Sequence, residues 1–188
     1  MKIRLAIPHI QKDSIVDGEG IRGVIWTQGC PHNCLGCHNP ETHDFDSGEL
    51  VEIEELFDEI DNLDGHDGIT FSGGDPMIQP KECAKIAKHC HKKGFNVWCY
   101  TGYTYEKLLD MSETLPAIFD FLKQIDVLVD GKFILGEKSF DVIFRGSKNQ
   151  RLINVPESLK SNSVVLITKY DNEVTNSKKG RKNHYMFV

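Results

Sequence analysis

Residues 23–37 read GVIWTQGCPHNCLGC, a short apolar run that leads directly into three cysteines. The first five residues are mostly apolar and partly β-branched, which is typical of a buried β-strand. Cys30, Cys34 and Cys37 follow within eight residues, in the spacing C-x3-C-x2-C. Because so tight a loop can direct three thiolates towards one point, this segment predicts a metal or redox centre at the carboxyl end of a strand.

Three clustered cysteines are compatible with two kinds of centre. An ordinary 4Fe–4S cluster takes four cysteines, so three would leave one iron open to a substrate. The alternative is a structural zinc site with His32 or His38 as the fourth ligand. Structural zinc usually adds a second cysteine pair some distance away, and the sequence has none. The spacing therefore favours the cluster and leaves zinc open. Cys83, Cys90 and Cys99 fall on predicted core faces and are interpreted as packing residues.

Strands and helices alternate after the cysteines. Helices are predicted over residues 51–63, from Pro80 to a stop at Gly94, and in two segments between residues 102 and 122. The predicted strands span residues 69–71, 95–100, 126–130, 151–155 and 164–168. This order is typical of a parallel sheet with right-handed crossovers. With about five βα units, too few for the eight of a closed barrel, the predicted fold is α/β, an open, partial TIM-like barrel with a mostly parallel sheet.

The two ends of the chain differ from this pattern. Residues 1–22 are interpreted as a leader that ends in a turn at Asp17-Gly18-Glu19-Gly20. Residues 1–168 form the predicted domain. Residues 169–188 are rich in lysine and asparagine and lack a core face, so we expect a polar, mobile tail.

Polar turns follow several predicted strands. In Ser72-Gly73-Gly74-Asp75-Pro76 two glycines let a ligand approach the backbone, and the carbonyls and Asp75 can accept hydrogen bonds from an ammonium group. Asp130-Gly131-Lys132 could hold ribose hydroxyls and a carboxylate. Each of these two segments, taken alone, is also compatible with an ordinary turn. Because parallel α/β folds carry their sites at the carboxyl ends of strands, we expect these turns, Tyr100-Thr101 and the cysteine loop to meet.

Composition restricts the class of protein. The chain has 188 residues, 39% of them hydrophobic, and a net charge of −6, which argues against a general electrostatic nucleic-acid binder. No run approaches the roughly 18 apolar residues of a membrane helix. Residues 1–8 contain Lys2, Arg4 and a proline and do not resemble a signal peptide. We therefore expect a cytoplasmic protein with reduced cysteines and neither a nucleic-acid nor a membrane partner.

Six segments match, in order, those of a known family. They are DGEGIR (17–22), QGCPHNCLGCHNPETHDF (28–45), TFSGGDP (70–76), WCYTGYTYEKLL (98–109), IDVLVDGKF (125–133) and RGSKNQRLINV (145–155). Together they resemble the radical S-adenosylmethionine superfamily and, more narrowly, the glycyl-radical activases of anaerobic ribonucleoside-triphosphate reductases. The last segment distinguishes this branch from other activases. By spacing alone, its basic residues 145–151 could be a solvated loop, or they could contact a partner or an anionic group.

The resemblance implies a role for each motif. Cys30, Cys34 and Cys37 would ligate three irons of a 4Fe–4S cluster, and S-adenosylmethionine would chelate the fourth. The cofactor-binding residues implied are Gly36, Cys37 and His38 beside the cluster, Gly73, Gly74 and Asp75 at the methionine amino group, and Asp130, Gly131 and Lys132 at the ribose and carboxylate side. No catalytic residue is implied beyond the cluster and cofactor. Gly36 stands where many superfamily members have an aromatic residue, and Asp75 where glutamate is common.

The resemblance also implies a reaction and two partners. A flavodoxin or similar donor would supply one electron, and S-adenosylmethionine would be cleaved to methionine and a 5′-deoxyadenosyl radical. That radical would take hydrogen from a glycine of the reductase catalytic subunit and leave a glycyl radical there. One alternative is a related enzyme that acts on a small molecule, such as a deazapurine-forming rearrangement. Another is a non-catalytic zinc-binding module.

Overall fold

The computed structural model describes residues 1–171, and within them the strands form one seven-stranded sheet. The strands are β1 (Lys2–Ser14), β2 (Arg22–Thr27), β3 (Glu49–Glu52), β4 (Gly68–Gly73), β5 (Asn96–Tyr100), β6 (Val127–Asp130) and β7 (Arg151–Asn154). The α-helices of the same residues are α1 (Ile53–Asp61), α2 (Pro80–Lys92), α3 (Tyr105–Ser112), α4 (Pro116–Leu122) and α5 (Val155–Ser161). The order across the sheet is β3-β1-β2-β4-β5-β6-β7.

The sheet has a parallel centre and antiparallel margins. Strands β2, β4, β5 and β6 pair in parallel. Strands β1 and β3 extend one side, and β7 extends the other, by antiparallel pairing. In the described part of the chain the edge strands β3 and β7 do not pair with each other, so the sheet is open. The predicted α/β class is confirmed, and the antiparallel β7 shows that the parallel order ends at β6.

The helices pack on the sheet through apolar faces that the sequence pattern predicts. Helix α2 begins at Pro80 and buries Cys83, Ile86, Ala87 and Cys90. Cys83, Cys90 and Cys99 are all fully buried, which confirms their interpretation as packing residues. Burial raises the pKa of the Cys90 thiol to about 12 and those of Cys83 and Cys99 well above their usual value. These thiols stay protonated at neutral pH and are inert towards metals.

Three local predictions were wrong. The leader contains β1, whose pairing with β2 shifts register between Leu5 and Ile10, around Pro8. This irregularity and the interspersed charges hide the strand in the sequence. Residues 51 and 52 belong to β3, and the helix predicted from residue 51 begins at Ile53. Residues 164–168 do not form a strand, because only Leu166 makes an isolated bridge, to Ile153.

A buried arginine fixes the turn that precedes β2. The Arg22 guanidinium donates hydrogen bonds to Thr70 Oγ1 at 2.7 Å and to the Ile69 carbonyl at 2.8 Å, and it lies 5.3 Å from the Trp98 ring centroid. Burial lowers its pKa to about 10. The DGEGIR segment therefore has a structural role, anchoring the loop between β1 and β2 on the sheet.

The predicted tail falls mostly outside the described residues, which end at Asp171. Its first residues pack on the domain: Tyr170 is buried, with its ring 5.0 Å from that of Phe144, and Lys169 pairs with Glu19. Within residues 1–171 no helix is long and apolar enough to cross a membrane.

Candidate functional site

The cysteine loop leaves the carboxyl end of β2 and is held at its start by backbone hydrogen bonds. The Gly29 N–H donates to the Thr42 carbonyl at 2.9 Å, and the Cys30 N–H donates to the His43 carbonyl at 3.1 Å. Within the loop, the Cys37 N–H donates to the Cys34 carbonyl at 3.1 Å. The three cysteines are reduced and partly exposed, so their thiols are accessible from the surface beyond the strand ends.

The loops that follow β2, β4, β5 and β6 line one open cleft. The cleft has a cavity volume of about 130 Å³ and is open to solvent. Its lining residues are Cys30, His32, Cys34, Cys37, His38, Asn39, His43, Ser72, Gly73, Gly74, Asp75, Tyr100, Thr101, Gly102, Gly131 and Phe133. The polar turns and the three cysteines thus meet at one place, as the order of strands predicted.

The turn after β4 is joined to the cysteine loop through its backbone. The Gly74 N–H donates to the Thr27 carbonyl at 2.7 Å, and the Asp75 N–H donates to the Gly29 carbonyl at 2.8 Å. A Cβ on Gly73 would lie 2.6 Å from the Thr27 oxygen, and one on Gly74 would lie 2.4 Å from the Gly29 oxygen. Both positions therefore require glycine, because the two backbones are too close for a side chain.

The Asp75 carboxylate is fully buried. It accepts hydrogen bonds from the Met77 N–H at 3.0 Å, the Gly102 N–H at 3.0 Å, the Thr101 hydroxyl at 2.9 Å and His32 Nε2 at 2.7 Å. Its side chain thus connects the loops after β2, β4 and β5. Asp75 is predicted from the sequence as a site residue, whereas these partners are not.

The turn after β6 places its three residues in different surroundings. Gly131 lines the cleft, whereas Asp130 and Lys132 do not. Asp130 is buried and pairs with Arg151, and it also accepts from the Tyr105 N–H at 2.8 Å. The contact of Asp130 with a bound ribose stays a prediction. The positive charge of Lys132 lies close enough to Cys34 to lower that thiol's pKa.

The 145–151 segment supports the turn after β6 from outside the cleft. The Gln150 amide donates to the Gly131 carbonyl at 3.0 Å, and the Asn149 amide donates to the Lys132 carbonyl at 2.8 Å. Arg151 forms ion pairs with Asp130 and Glu106. The sequence left open two interpretations of this segment, a solvated loop and an anion or partner site. These contacts match neither of them fully, because the two amides and Arg151 stabilise a turn of the cleft.

The donor set of the cleft fits a cluster with three cysteine ligands better than zinc. His32 is hydrogen-bonded to Asp75, and His38 packs against the Phe133 ring, with centroids 4.9 Å apart. Among residues 1–171, no group of three or more His, Cys, Asp or Glu side chains is arranged to hold a single metal ion. Cysteines that bind separate irons need not converge as the four donors around one zinc must.

Two of the thiols are held in their protonated form by their surroundings. Burial raises the pKa of Cys30 to about 11, and the nearby Asp75 carboxylate acts in the same direction. Burial also raises the pKa of Cys34, and the backbone of Phe133 and the charge of Lys132 partly offset it. Ligation by iron therefore has to displace these protons.

Comparisons with known proteins relate the chain to iron–sulfur proteins and activating proteins. Residues 16–153 match the model of a family described as a 4Fe-4S single cluster domain. An anaerobic ribonucleoside-triphosphate reductase-activating protein of Pasteurella multocida is 37% identical over 147 residues, covering 72% of this chain and 89% of that protein. The protein of the same name from Escherichia coli K12 is 35% identical over 145 residues, covering 72% and 90%. A pyruvate formate-lyase-activating enzyme of Clostridium pasteurianum is 31% identical over 155 residues, covering 76% and 63%.

Proposed function

Because the chain belongs to the family of anaerobic ribonucleoside-triphosphate reductase-activating proteins, we propose that it forms a glycyl radical on the catalytic subunit of an anaerobic (class III) reductase. S-adenosylmethionine and one electron give methionine and a 5′-deoxyadenosyl radical. This radical takes one hydrogen atom from a glycine Cα, which yields 5′-deoxyadenosine and the glycyl radical. The 4Fe–4S cluster, when bound, delivers the electron to the sulfonium.

The chain's own residues hold and orient the reactants. Cys30, Cys34 and Cys37 are the proposed cluster ligands, and Gly36 and His38 lie beside them in the loop. Gly36 has a φ of +74°, a backbone conformation that favours glycine, and a Cβ there would lie 2.9 Å from the end of the Leu135 side chain. The backbone of Gly73 and Gly74 borders the proposed amino-acid half of the cofactor, and Gly131 borders its ribose half.

One observation carries the proposal: three thiols and three strand-end turns line a single cleft, with no fourth cysteine among its lining residues. Such a cleft provides three cluster ligands and leaves space beside them for a cofactor. We further propose that the open sheet is part of a partial TIM-like barrel with its site at the strand ends. A flavodoxin or similar one-electron donor and a cytoplasmic location complete the proposal.

The surface around the cleft favours a protein substrate over a small molecule. Leu35 lies between two of the cysteines with 79% of its surface exposed. Leu135, at 46%, packs beside Gly36. Exposed apolar side chains beside a site are typical of protein contacts. The second candidate, a small-molecule rearrangement, would not require them.

The direct test is radical transfer to the cognate reductase. Under anaerobic conditions, reconstituted protein, reductant, S-adenosylmethionine and the reductase catalytic subunit should give a glycyl-radical doublet by electron paramagnetic resonance (EPR). Cys34→Ala should abolish the doublet and 5′-deoxyadenosine formation. Cys90→Ala, which changes a buried thiol outside the cleft, should retain both. If 5′-deoxyadenosine accumulates with wild-type protein but no doublet forms, the proposed substrate is wrong.

A surface variant separates the two enzyme candidates. Leu35→Asp should reduce glycyl-radical yield at least about tenfold, as expected when an apolar interface contact of roughly 1.4 kcal/mol or more is lost. Reductant-driven 5′-deoxyadenosine formation in the absence of the reductase should be unchanged. Leu50→Asp, at an exposed position in β3, is the matched control. An unaltered radical yield in Leu35→Asp would remove the support that this surface gives to a protein substrate.

A further inference from the structure

His32 lies within the cysteine loop but does not behave as a ligand. Its side chain is only 7% exposed, and Nε2 lies 2.7 Å from Asp75 Oδ2. Because a buried carboxylate can only accept, Nε2 carries the hydrogen of this bond. The imidazole also meets the Tyr103 ring edge-on, with centroids 4.4 Å apart. The loop residue thus reaches into the protein, across the end of β5.

The chain makes room for this ring. A Cβ on Gly102 would lie 2.3 Å from His32 Cδ2, so any other residue at position 102 would displace the imidazole. The Gly102 N–H meanwhile donates to the same Asp75 oxygen that His32 contacts. Glycine at this position therefore serves the histidine and the aspartate together.

Asp75 has no remaining capacity for a ligand. A carboxylate offers about four lone-pair sites. Four protein donors occupy them: the Met77 and Gly102 amides, the Thr101 hydroxyl and His32. The whole Asp75 residue is 0% exposed. An ammonium group could bind it only after one of these bonds had been broken.

We propose that His32 and Asp75 form a latch that holds the cysteine loop in its ligating shape, and that Asp75 acts through this latch instead of binding the methionine amino group. His32 is then a positioning residue for Cys30 and Cys34, which flank it in the loop. The inference rests on the proposed function for the identity of the cluster and cofactor.

Few polar contacts hold the middle of the loop. Among the described residues, one side-chain hydrogen bond joins residues 31–38 to another strand end, the bond from His32 to Asp75. The other contacts are apolar: His38 packs against Phe133, and Gly36 lies beside Leu135. Because the bond from His32 leaves every thiol free, it can hold the loop both before and after cluster binding.

The test compares variants at residue 32 that differ in one donor. His32→Gln keeps an N–H that can reach Asp75, and His32→Leu has similar bulk without it. After anaerobic reconstitution, the rate of iron release to a chelator should rise about tenfold or more in His32→Leu, since hydrogen bonds to charged groups are among the strongest. His32→Gln should stay within about threefold of wild type. Asp75→Asn should resemble His32→Leu, and the double variant should be no worse than either single one.

A second readout distinguishes the latch from direct cofactor binding. S-adenosylmethionine should alter the EPR spectrum of the reduced cluster in Asp75→Asn molecules that retain iron, as it does in wild type. If His32→Leu keeps iron like wild type, while Asp75→Asn keeps iron but loses the spectral response, Asp75 binds the cofactor directly and the latch is wrong.

Failure of the proposed function would appear differently, as wild-type protein that takes up no iron. The latch is then judged on the metal-free protein by hydrogen exchange of residues 31–38. Faster exchange in His32→Leu than in His32→Gln supports it, and equal exchange in the two variants overturns it.

Discussion

Asp75 and Asp130 both lie at the carboxyl ends of parallel strands but have different partners. Asp75 lies two residues after β4, Asp130 is the last residue of β6, and each is buried, at 0% and 1% exposure. Asp75 accepts from His32 and from the loop after β5, all beside the cleft. Asp130 pairs with the guanidinium of Arg151 and accepts from the amide of Tyr105 at the start of α3.

This difference shows that a buried carboxylate at a strand end is not by itself evidence of a ligand contact. Asp75 organises the loops that carry the proposed cluster ligands. Asp130 connects the last strands to α3 and is not among the residues that line the cleft. Perturbing the first should therefore affect iron retention, and perturbing the second should affect the stability of the fold.

The largest effect on stability is expected from Arg151→Met. It leaves the buried Asp130 carboxylate without its cationic partner, which typically costs about 3–5 kcal/mol. Urea denaturation of the metal-free protein should show the loss, while iron content per folded molecule should be unchanged. Lys160→Met is a control, because Lys160 is exposed and lies 4.0 Å from Glu157. A loss below about 1 kcal/mol in Arg151→Met would mean that Asp130 does not depend on this pair.

Replacing Gly102, which lies beside Asp75, and Gly131, which follows Asp130, by alanine should have different effects. In Gly102→Ala the new Cβ must displace His32, so iron release should accelerate as in His32→Leu. In Gly131→Ala the nearest atom, Asn149 Nδ2, is 3.7 Å away. Its cost should be limited to the strain of a φ of +96°, about 1–2 kcal/mol. Urea denaturation and chelator-driven iron release check both variants. Equal iron release from the two would contradict the distinction between the turns.

The sequence predicted the elements that repeat a regular pattern and missed those that depend on distant contacts. The start of α2 at Pro80 and the burial of Cys83 and Cys90 follow from helical periodicity. Strand β1 was missed because its register shift and charges obscure the alternation. The meeting of the cysteine loop with the GGD turn followed from strand order alone. The bond between His32 and Asp75 did not, because residues 43 positions apart show no shared pattern in one sequence. The histidine's position between two cysteines was the available signal.

A smaller loss of stability than in Arg151→Met is expected from removing one neutral hydrogen-bond donor of Asp75. Thr101→Val keeps the shape of the side chain but loses the hydroxyl that lies 2.9 Å from Asp75 Oδ2 and accepts the Tyr103 N–H at 3.2 Å. The free energy of unfolding should fall by about 1.5–3 kcal/mol. Thr114→Val, at an exposed helix end, should change it by less than about 0.5 kcal/mol. Urea denaturation measures both, and equal losses would mean that the Asp75 network adds nothing at this position.

The smallest effect on stability is expected from Glu106, the exposed carboxylate that pairs with Arg151. This effect should depend on pH. The Arg151 guanidinium lowers the pKa of Glu106 from 4.5 to about 2. A carboxylate whose pKa is lower in the folded state stabilises the fold above its unfolded pKa. The contribution is lost as pH falls from about 4.5 towards 2. Because the Glu106 side chain is 56% exposed, solvent screening should limit the contribution to under about 1 kcal/mol.

Glu106→Gln should therefore be slightly less stable than wild type at pH 7, and the difference should shrink as pH falls below about 4.5. Urea denaturation between pH 7 and pH 3 measures it, and added salt should reduce it at every pH. Glu157→Gln, at an exposed site 4.0 Å from Lys160, should give little difference at any pH. A difference between wild type and Glu106→Gln that widens on acidification would have the wrong sign for a lowered pKa.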